Sequence, residues 1–255
     1  MNFFDAFILG IIEGVTEFLP VSSTGHLILA GRLMDLPETE FLKIFDISIQ
    51  LGAILAVVIL YGRTFLLNIE VLKRLLAAFI PTVIVGGIFY QGIKDFLLGN
   101  SDVVIWSLFL GGVFLIIFEM LHKEGDKEDL TEISYQDAVL IGLFQSIAMI
   151  PGISRAAATI VGGLFLGMKR KAIVEFSFLL AVPTMVAACA LVLFKNQQEL
   201  LAVPDALPLL LVGFVTSFIV AVASIKSFLY FIQWNNFIPF GVYRILVAVV
   251  FWLFG

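Results

Sequence analysis

The sequence predicts an all-α polytopic membrane protein, an inverted repeat of two halves in which each half is one re-entrant helical hairpin plus three transmembrane helices. Three observations predict it. Apolar runs of about twenty residues, the length that crosses about 30 Å of hydrocarbon, recur from end to end. The chain resembles itself across its middle, and each half carries an odd number of spans.

Hydrophobic residues fill 61% of the 255 positions and charged ones only 14%, with 26 phenylalanines and a mean hydropathy of +1.09. A soluble domain of this size needs a larger polar shell to stay in water. The net charge of -5 says little about partners, because in a membrane protein the placement of charge outweighs its sum. The sole cysteine, Cys189, excludes an intramolecular disulfide. Met1-Asn2-Phe3-Phe4-Asp5 lacks the basic start of a cleavable signal, so the first apolar segment is expected to stay in the mature protein.

The internal match is carried by polar punctuation. Asp5-Ala6 through Gly10 returns as Asp137-Ala138 through Gly142, and Glu13 falls against Gln145. Pro20 and Ser23 fall against Pro151 and Ser154, one residue out of that register. Asp46-Ile47-Ser48-Ile49 matches Glu175-Phe176-Ser177-Phe178, and Phe79-Ile80-Pro81-Thr82 is echoed by Phe214-Val215-Thr216-Ser217. The halves divide at approximately 1–130 and 131–255.

Each half opens with a broken element. Residues 3–19 are apolar, Pro20-Val21-Ser22-Ser23-Thr24-Gly25-His26 interrupts them, and a short apolar stretch runs on to Met34. Neither piece is long enough to span alone, so a hairpin over 3–34 that enters and leaves by one face is expected. Residues 137–168 repeat the shape around Pro151-Gly152-Ile153-Ser154-Arg155. Spans follow near 45–62, 72–91 and 103–121, then near 174–194, 207–226 and 236–254. With three spans per half, the second half is inverted relative to the first.

Basic residues orient the chain. Arg63, Lys73, Arg74, Lys123, Lys127, Lys169, Arg170, Lys171 and Lys226 fall on one face, against Arg32, Lys43, Lys94 and Lys195 on the other. The richer face is expected to be cytoplasmic, which opens the first hairpin to the outside and the second to the cytoplasm. The charged stretch from His122 to Asp129 reads as a solvated linker without chemistry.

Charges inside apolar segments call for an explanation. Glu13 and Glu17 are four residues apart, hence on one face of a helix. Two carboxylates at low dielectric repel unless a cation lies between them, and a divalent metal suits the pair. Alternatively one hydrogen-bonds a neighbour and the other lines a wet cavity. Ser22, Ser23 and Thr24 are N-cap types at a helix start, where free N–H groups and a positive dipole end attract phosphate. Capping alone would also account for them. His26 beside them is either a structural residue or an acid–base group or nucleophile. Arg155, with Ser154 before it and Thr159 one turn on, cannot lose its proton and needs an anion. That anion is a phosphate, or else Glu13 or Glu17. Asp46, Gln50, Glu175 and Ser177 start the first full spans as supporting residues or interfacial caps, and Arg244, deep in the last span, would pair with an acid across the two halves. As a set, these groups suit a pyrophosphate better than a sugar, an amino acid or a peptide.

The run Glu13-Gly14-Val15-Thr16-Glu17-Phe18-Leu19-Pro20-Val21-Ser22-Ser23-Thr24-Gly25-His26-Leu27 resembles the acidic and serine–histidine motifs of the undecaprenyl-pyrophosphate phosphatase family of the bacitracin-resistance type. Pro151 to Arg155 with Thr159, the Phe45–Gly52 segment and the Glu175–Leu179 segment resemble its other signatures, so the likeness covers essentially the whole chain. The resemblance implies hydrolysis of undecaprenyl pyrophosphate to undecaprenyl phosphate in the bacterial plasma (inner) membrane, with bacitracin resistance as a consequence, and the basic-residue count puts that chemistry on the extracytoplasmic side. It implies Mg2+ or Ca2+ held by Glu13 and Glu17, a core site of Glu13, Glu17, His26, Ser23 and Arg155, and phosphate contacts from Ser22, Thr24, Ser154 and Thr159. One departure is that Ala156-Ala157 stand where the family usually has serine then glycine.

The nucleophile is His26, Ser23 or a water activated by His26; sequence does not choose among them. The expected partners are the prenyl pyrophosphate and membrane lipids, with no nucleic acid, and a homodimer is compatible with the plan. The rival readings are a lipid-carrier flippase or secondary transporter on the same inverted repeat, and a lipid-binding protein without catalysis.

Overall fold

The structure, a computed structural model, describes residues 1–96, 101–123 and 125–254. Among these residues the chain is helical, without strands, and Lys127 and Met168 form an isolated β-bridge. The chain opens with α1 (Phe3–Thr16) and α2 (Ser23–Leu33), followed by three long helices, α3 (Glu40–Leu67), α4 (Ile69–Phe96) and α5 (Ser101–Leu121). The second series is α6 (Tyr135–Ser146), α7 (Arg155–Phe165), α8 (Arg170–Lys195), the short α9 (Gln197–Ala202), α10 (Ala206–Ile232) and α11 (Ile238–Phe254). The element α9 has no counterpart in the sequence expectation.

The matched aspartates have a local cause. Asp5 closes a capping box with Asn2 at the start of α1, and Asp137 closes the same box with Ser134 at the start of α6. Each of these helices then stops short of a membrane thickness. At the first break Ser22 caps α2, and at the second a 3-10 turn over Ile147–Met149 precedes Pro151 and the cap Ser154 of α7. Both 3–33 and 135–165 are therefore helix–break–helix units, as expected from sequence, the second beginning two residues early.

Packing exchanges partners between the two series. The helix α1 lies along α10 and α6 lies along α4, while α3 meets α8 and α5 meets α11. Small residues permit the close approaches. A Cβ on Gly14 would lie 2.7 Å from the Ser217 carbonyl oxygen on α10, and one on Gly142 would lie 2.0 Å from that of Ala78 on α4. Phe18, Phe176, Phe178, Phe228 and Phe237 fill the main core. Many other large apolar side chains face outward, among them Ile88, Trp106, Leu110 and Phe194. In water such a surface would drive association; against lipid it is at rest.

Among the described residues five helices are long and apolar enough to cross a membrane: Glu40–Phe65, Ile69–Phe89, Ser101–Leu121, Arg170–Lys195 and Ala206–Ile232. This is the build of a polytopic membrane protein. The sixth expected span, 236–254, is α11 of 17 residues, a shorter helix held against α5. The segment after α5 is more than a solvated linker. Lys127 donates to Asp137 at 2.8 Å and to the Leu166 carbonyl at 3.0 Å, Lys169 pairs with Glu128, and Arg170 pairs with buried Glu119. Hydrogen bonds from Thr131 hold the Asp129 carboxyl below the usual carboxylate range. The side chain of Lys94 lies outside the described residues.

Candidate active site

The two helix breaks are built alike. Ser22 has φ 72° and its hydroxyl accepts from the Gly25 N–H at 3.4 Å; Ser154 has φ 78° and accepts from the Ala157 N–H at 3.2 Å. A left-handed non-glycine residue costs about 1–3 kcal/mol and persists where surrounding contacts over-determine it. Here each strained serine turns the chain sharply, so that a helix N-terminus begins in the interior with N–H groups that the cap leaves free. Gly152, at φ 91°, allows the second break to press against α5, where a Cβ would come within 2.7 Å of the Val104 carbonyl oxygen.

Residues from both breaks meet. Arg155 donates from Nη2 to Glu17 Oε1 at 3.2 Å and from Nη1 to the Ser177 carbonyl at 2.8 Å. The other oxygen of Glu17 accepts from the Ser23 hydroxyl at 2.5 Å. Glu17, Ser23 and Arg155 are all buried, and Phe18 lies under the guanidinium with its ring centroid 6.0 Å from Cζ. The arginine's anion is thus Glu17, one of the two sequence alternatives. Glu13 is fully buried, and among the described residues neither of its carboxylate oxygens has a hydrogen-bond partner. Glu17, Asp46 and Arg155 all interact with it electrostatically. The matched position in the other half, Gln145, instead bonds the Thr82 and Thr184 hydroxyls at 2.8 and 3.2 Å. An amide there and a carboxylate at Glu13 give the two breaks different chemistry.

His26 is held at both ring nitrogens. Its Nδ1 lies 2.8 Å from the Ser22 carbonyl, which only accepts, so Nδ1 carries the proton and Nε2 accepts from the Tyr243 hydroxyl at 2.8 Å. The two rings stack at 5.5 Å. Tyr243 was not singled out from sequence; a tyrosine in an apolar span gives no signal without its histidine. Thr159 is fully buried and its hydroxyl meets the Ser177 hydroxyl at 2.5 Å and the carbonyls of Arg155 and Ala156, bracing the start of α7. Thr24 is exposed on the first turn of α2. Ala156 is part of the main core and Ala157 supplies the capped N–H. Of the supporting residues, Asp46 faces Glu13 and Gln50 is buried nearby along α3, whereas the charges facing Glu175 are Lys171 and Asp129 near the linker.

Among the described residues Arg244 pairs with no acid. It is 1% exposed and donates to five carbonyls, those of Pro20, Ser107, Leu108, Gly152 and Ile153. It also borders an apolar cavity of about 630 Å³ between α5 and the α6–α7 unit, lined by Trp106, Leu110, Phe144 and Ala158 among others.

The donor set fits a hard divalent cation. Glu13 and Glu17 stand one helical turn apart, and Glu13 has two open oxygens in a buried setting. Among the described residues no group of three or more His, Cys, Asp or Glu converges, so the candidate donors are the carboxylate pair of Glu13 and Glu17.

Residues 6–250 match the family model described as bacitracin resistance protein BacA. The chain belongs to the BacA family. Among BacA-type relatives it is 50% identical over 255 residues to the undecaprenyl-diphosphatase of Sulfurihydrogenibium sp. (strain YO3AOP1), covering 99% of each chain. It is 48% identical over 252 residues to that of Aquifex aeolicus (strain VF5), covering 98% of each. With that of Persephonella marina (strain DSM 14350 / EX-H1) it shares 49% over 256 residues, covering 100% of this chain and 99% of the other.

Proposed function

We propose that this chain is an integral-membrane phosphatase that hydrolyses undecaprenyl pyrophosphate to undecaprenyl phosphate and inorganic phosphate. The observation that carries the reading is one cluster: Glu17 of the first break bonds both Arg155 of the second and Ser23 beside it. Near full-length likeness to undecaprenyl-diphosphatases supports the substrate class. Recycling of the lipid carrier and resistance to bacitracin follow from that activity.

In this reading Arg155 turns from Glu17 to the terminal phosphate, where its fork matches two oxygens. The N-termini of α2 and α7 add backbone N–H donors from opposite sides. The Ser23 hydroxyl already donates to Glu17, which makes it the nucleophile with an acceptor in place. Its oxygen forms a bond to the terminal phosphorus, its proton passes to Glu17, and the bond from phosphorus to the bridging oxygen breaks to release undecaprenyl phosphate. Water then attacks the phosphorus of the phosphoserine, with His26 placed to accept its proton at Nε2 once Tyr243 yields it; the bond from phosphorus to the Ser23 oxygen breaks, that oxygen takes its proton back from Glu17, and inorganic phosphate leaves. Glu13, and Glu17 once Arg155 has turned away, would hold Mg2+ or Ca2+, which neutralises phosphate oxygens and the charge that develops in transfer.

The helix–break–helix units are read as re-entrant hairpins and the two series as inverted repeats at 1–130 and 131–255, a plan supported by the exchanged packing of α1 on α10 and α6 on α4. Basic residues at Arg63, Lys73, Arg74, Lys123, Lys127 and Lys169 favour a cytoplasmic linker face. In this reading the mouth of the first hairpin opens to the outside of the plasma (inner) membrane, and its acids and His26 lie at the buried break, reached from that side.

The decisive assay is phosphate release by the purified protein from a long prenyl pyrophosphate, with and without a chelator. Release that is lost in Glu17→Gln and Arg155→Ala is expected. A protein that binds the lipid but releases no phosphate would overturn the reading. Acid-quench trapping should find phosphate on Ser23; a phosphohistidine at His26, or no covalent intermediate, would remove that step while leaving hydrolysis intact.

A further inference from the structure

The two helix breaks lie more than a hundred residues apart in sequence, and the hydrogen bond joining them within the cluster runs from Arg155 to Glu17. An incoming phosphate competes for both Arg155 and Ser23. When Arg155 turns to the substrate, its bond to Glu17 is given up at the moment when the two helix starts must hold one spacing. A second tie lies behind the cluster. Arg244 on α11 reaches Pro20 in the first break at 3.3 Å, and Gly152 and Ile153 in the second at 2.9 Å each. It anchors both to α5 through the carbonyls of Ser107 at 3.0 Å and Leu108 at 3.4 Å. All five acceptors are main-chain oxygens, one or two residues from the N-caps or on a long helix, so no substrate group displaces them.

We propose that Arg244 is a positioning residue that fixes the spacing of the two helix starts throughout the catalytic cycle, without touching the substrate. A planar guanidinium is required because its five N–H donors fan out in one rigid plane, whereas a lysine ammonium gathers three donors at one point. The room for it is provided by a missing side chain: a Cβ on Gly111 would lie 2.2 Å from Arg244 Nη2. Burying an uncompensated arginine is costly, and main-chain dipoles alone offset it here. That cost fits a role that an apolar residue cannot fill.

The kinetic half of the test rests on the proposed phosphatase activity; the distance half does not. In a Cys189→Ala background, spin labels on cysteines at Leu33 and Phe165, both 70% exposed at the far ends of α2 and α7, report the separation of the two units. Arg244→Lys should broaden that distance distribution. It should also lower kcat by about 10²-fold per folded enzyme with KM within about twofold, the signature of misplaced rather than missing groups. Gly111→Ala keeps the arginine but displaces its fork and should give the same pattern, so the conclusion does not hang on one variant folding. A distance distribution unchanged in both variants overturns the proposal whatever the activity. A broadened one with undiminished kcat overturns it equally. If the wild-type protein releases no phosphate, the distances still decide whether Arg244 is the clamp.

Discussion

Glu17 has one oxygen on Arg155 and the other on Ser23, so a single carboxylate joins two segments that are far apart in sequence. Removing either partner of such a buried pair leaves a charge without its counter-ion, at a cost of about 3–5 kcal/mol. Arg155→Ala should therefore lower the thermal midpoint in detergent as well as abolish phosphate release. Arg155→Ala combined with Glu17→Gln should recover part of the midpoint and none of the activity. A double variant no more stable than the single one would show that the pair contributes nothing to the fold. Tyr243 is a different case. Its hydroxyl donates to the nitrogen that the Ser22 carbonyl leaves with the lone pair, while its ring supplies stacking. Tyr243→Phe keeps the stack and deletes one hydrogen bond of about 1 kcal/mol, so kcat should fall by about fivefold with little change in stability. A fall larger than about a hundredfold would mean that the hydroxyl itself takes part in the chemistry. The acids, His26, Ser23 and Arg155 were legible in sequence because polar groups in apolar runs stand out. Tyr243 and the role of Arg244 were not, because each is defined by partners distant in sequence, and for Arg244 these are main-chain oxygens that no pattern reveals.

At the scale of the element, the short helices owe their place to contact rather than to length. Both α1 and α6 are too short to span, and each presents a small residue to a long helix of the other series. At Gly142 a methyl group would meet the Ala78 carbonyl oxygen at 2.0 Å, so α6 and α4 must part to admit it. Gly142→Ala should destabilise the protein by about 1–3 kcal/mol, the usual cost of overpacking. Thermal unfolding in one detergent checks this, and an unshifted midpoint would mean that the α6–α4 seam yields to a methyl group without loss of packing. The breaks themselves were legible: Pro20 with three hydroxyl residues, and Pro151-Gly152 with Ser154, announce an end and a start. The end of α11 was less so. A long apolar tail from 236 predicted a full span, but the helix begins at Ile238, after Phe237 has packed into the core, and 17 residues remain.

For the whole molecule, orientation is the property that sequence argues and that labelling can decide. Gly125 is a poor site for a reporter, since any side chain there would collide with Gly167. Asp126, exposed in the same segment, is suitable. Asp126→Cys in a Cys189→Ala background should react with a membrane-impermeant thiol reagent only after the cells are opened. Labelling of intact cells would invert the topology and put the first break on the cytoplasmic side. What the sequence determined by itself was the solvent and the punctuation. A composition with 14% charged residues dictates a membrane environment, and caps and prolines are local codes that act within four or five residues. What only the tertiary structure decided was which polar groups face one another. In an apolar medium every span is an acceptable neighbour for every other. The choice that sets Glu17 against Arg155, and Arg244 against both breaks, is made by small residues, close main-chain approaches and shape summed over the whole chain.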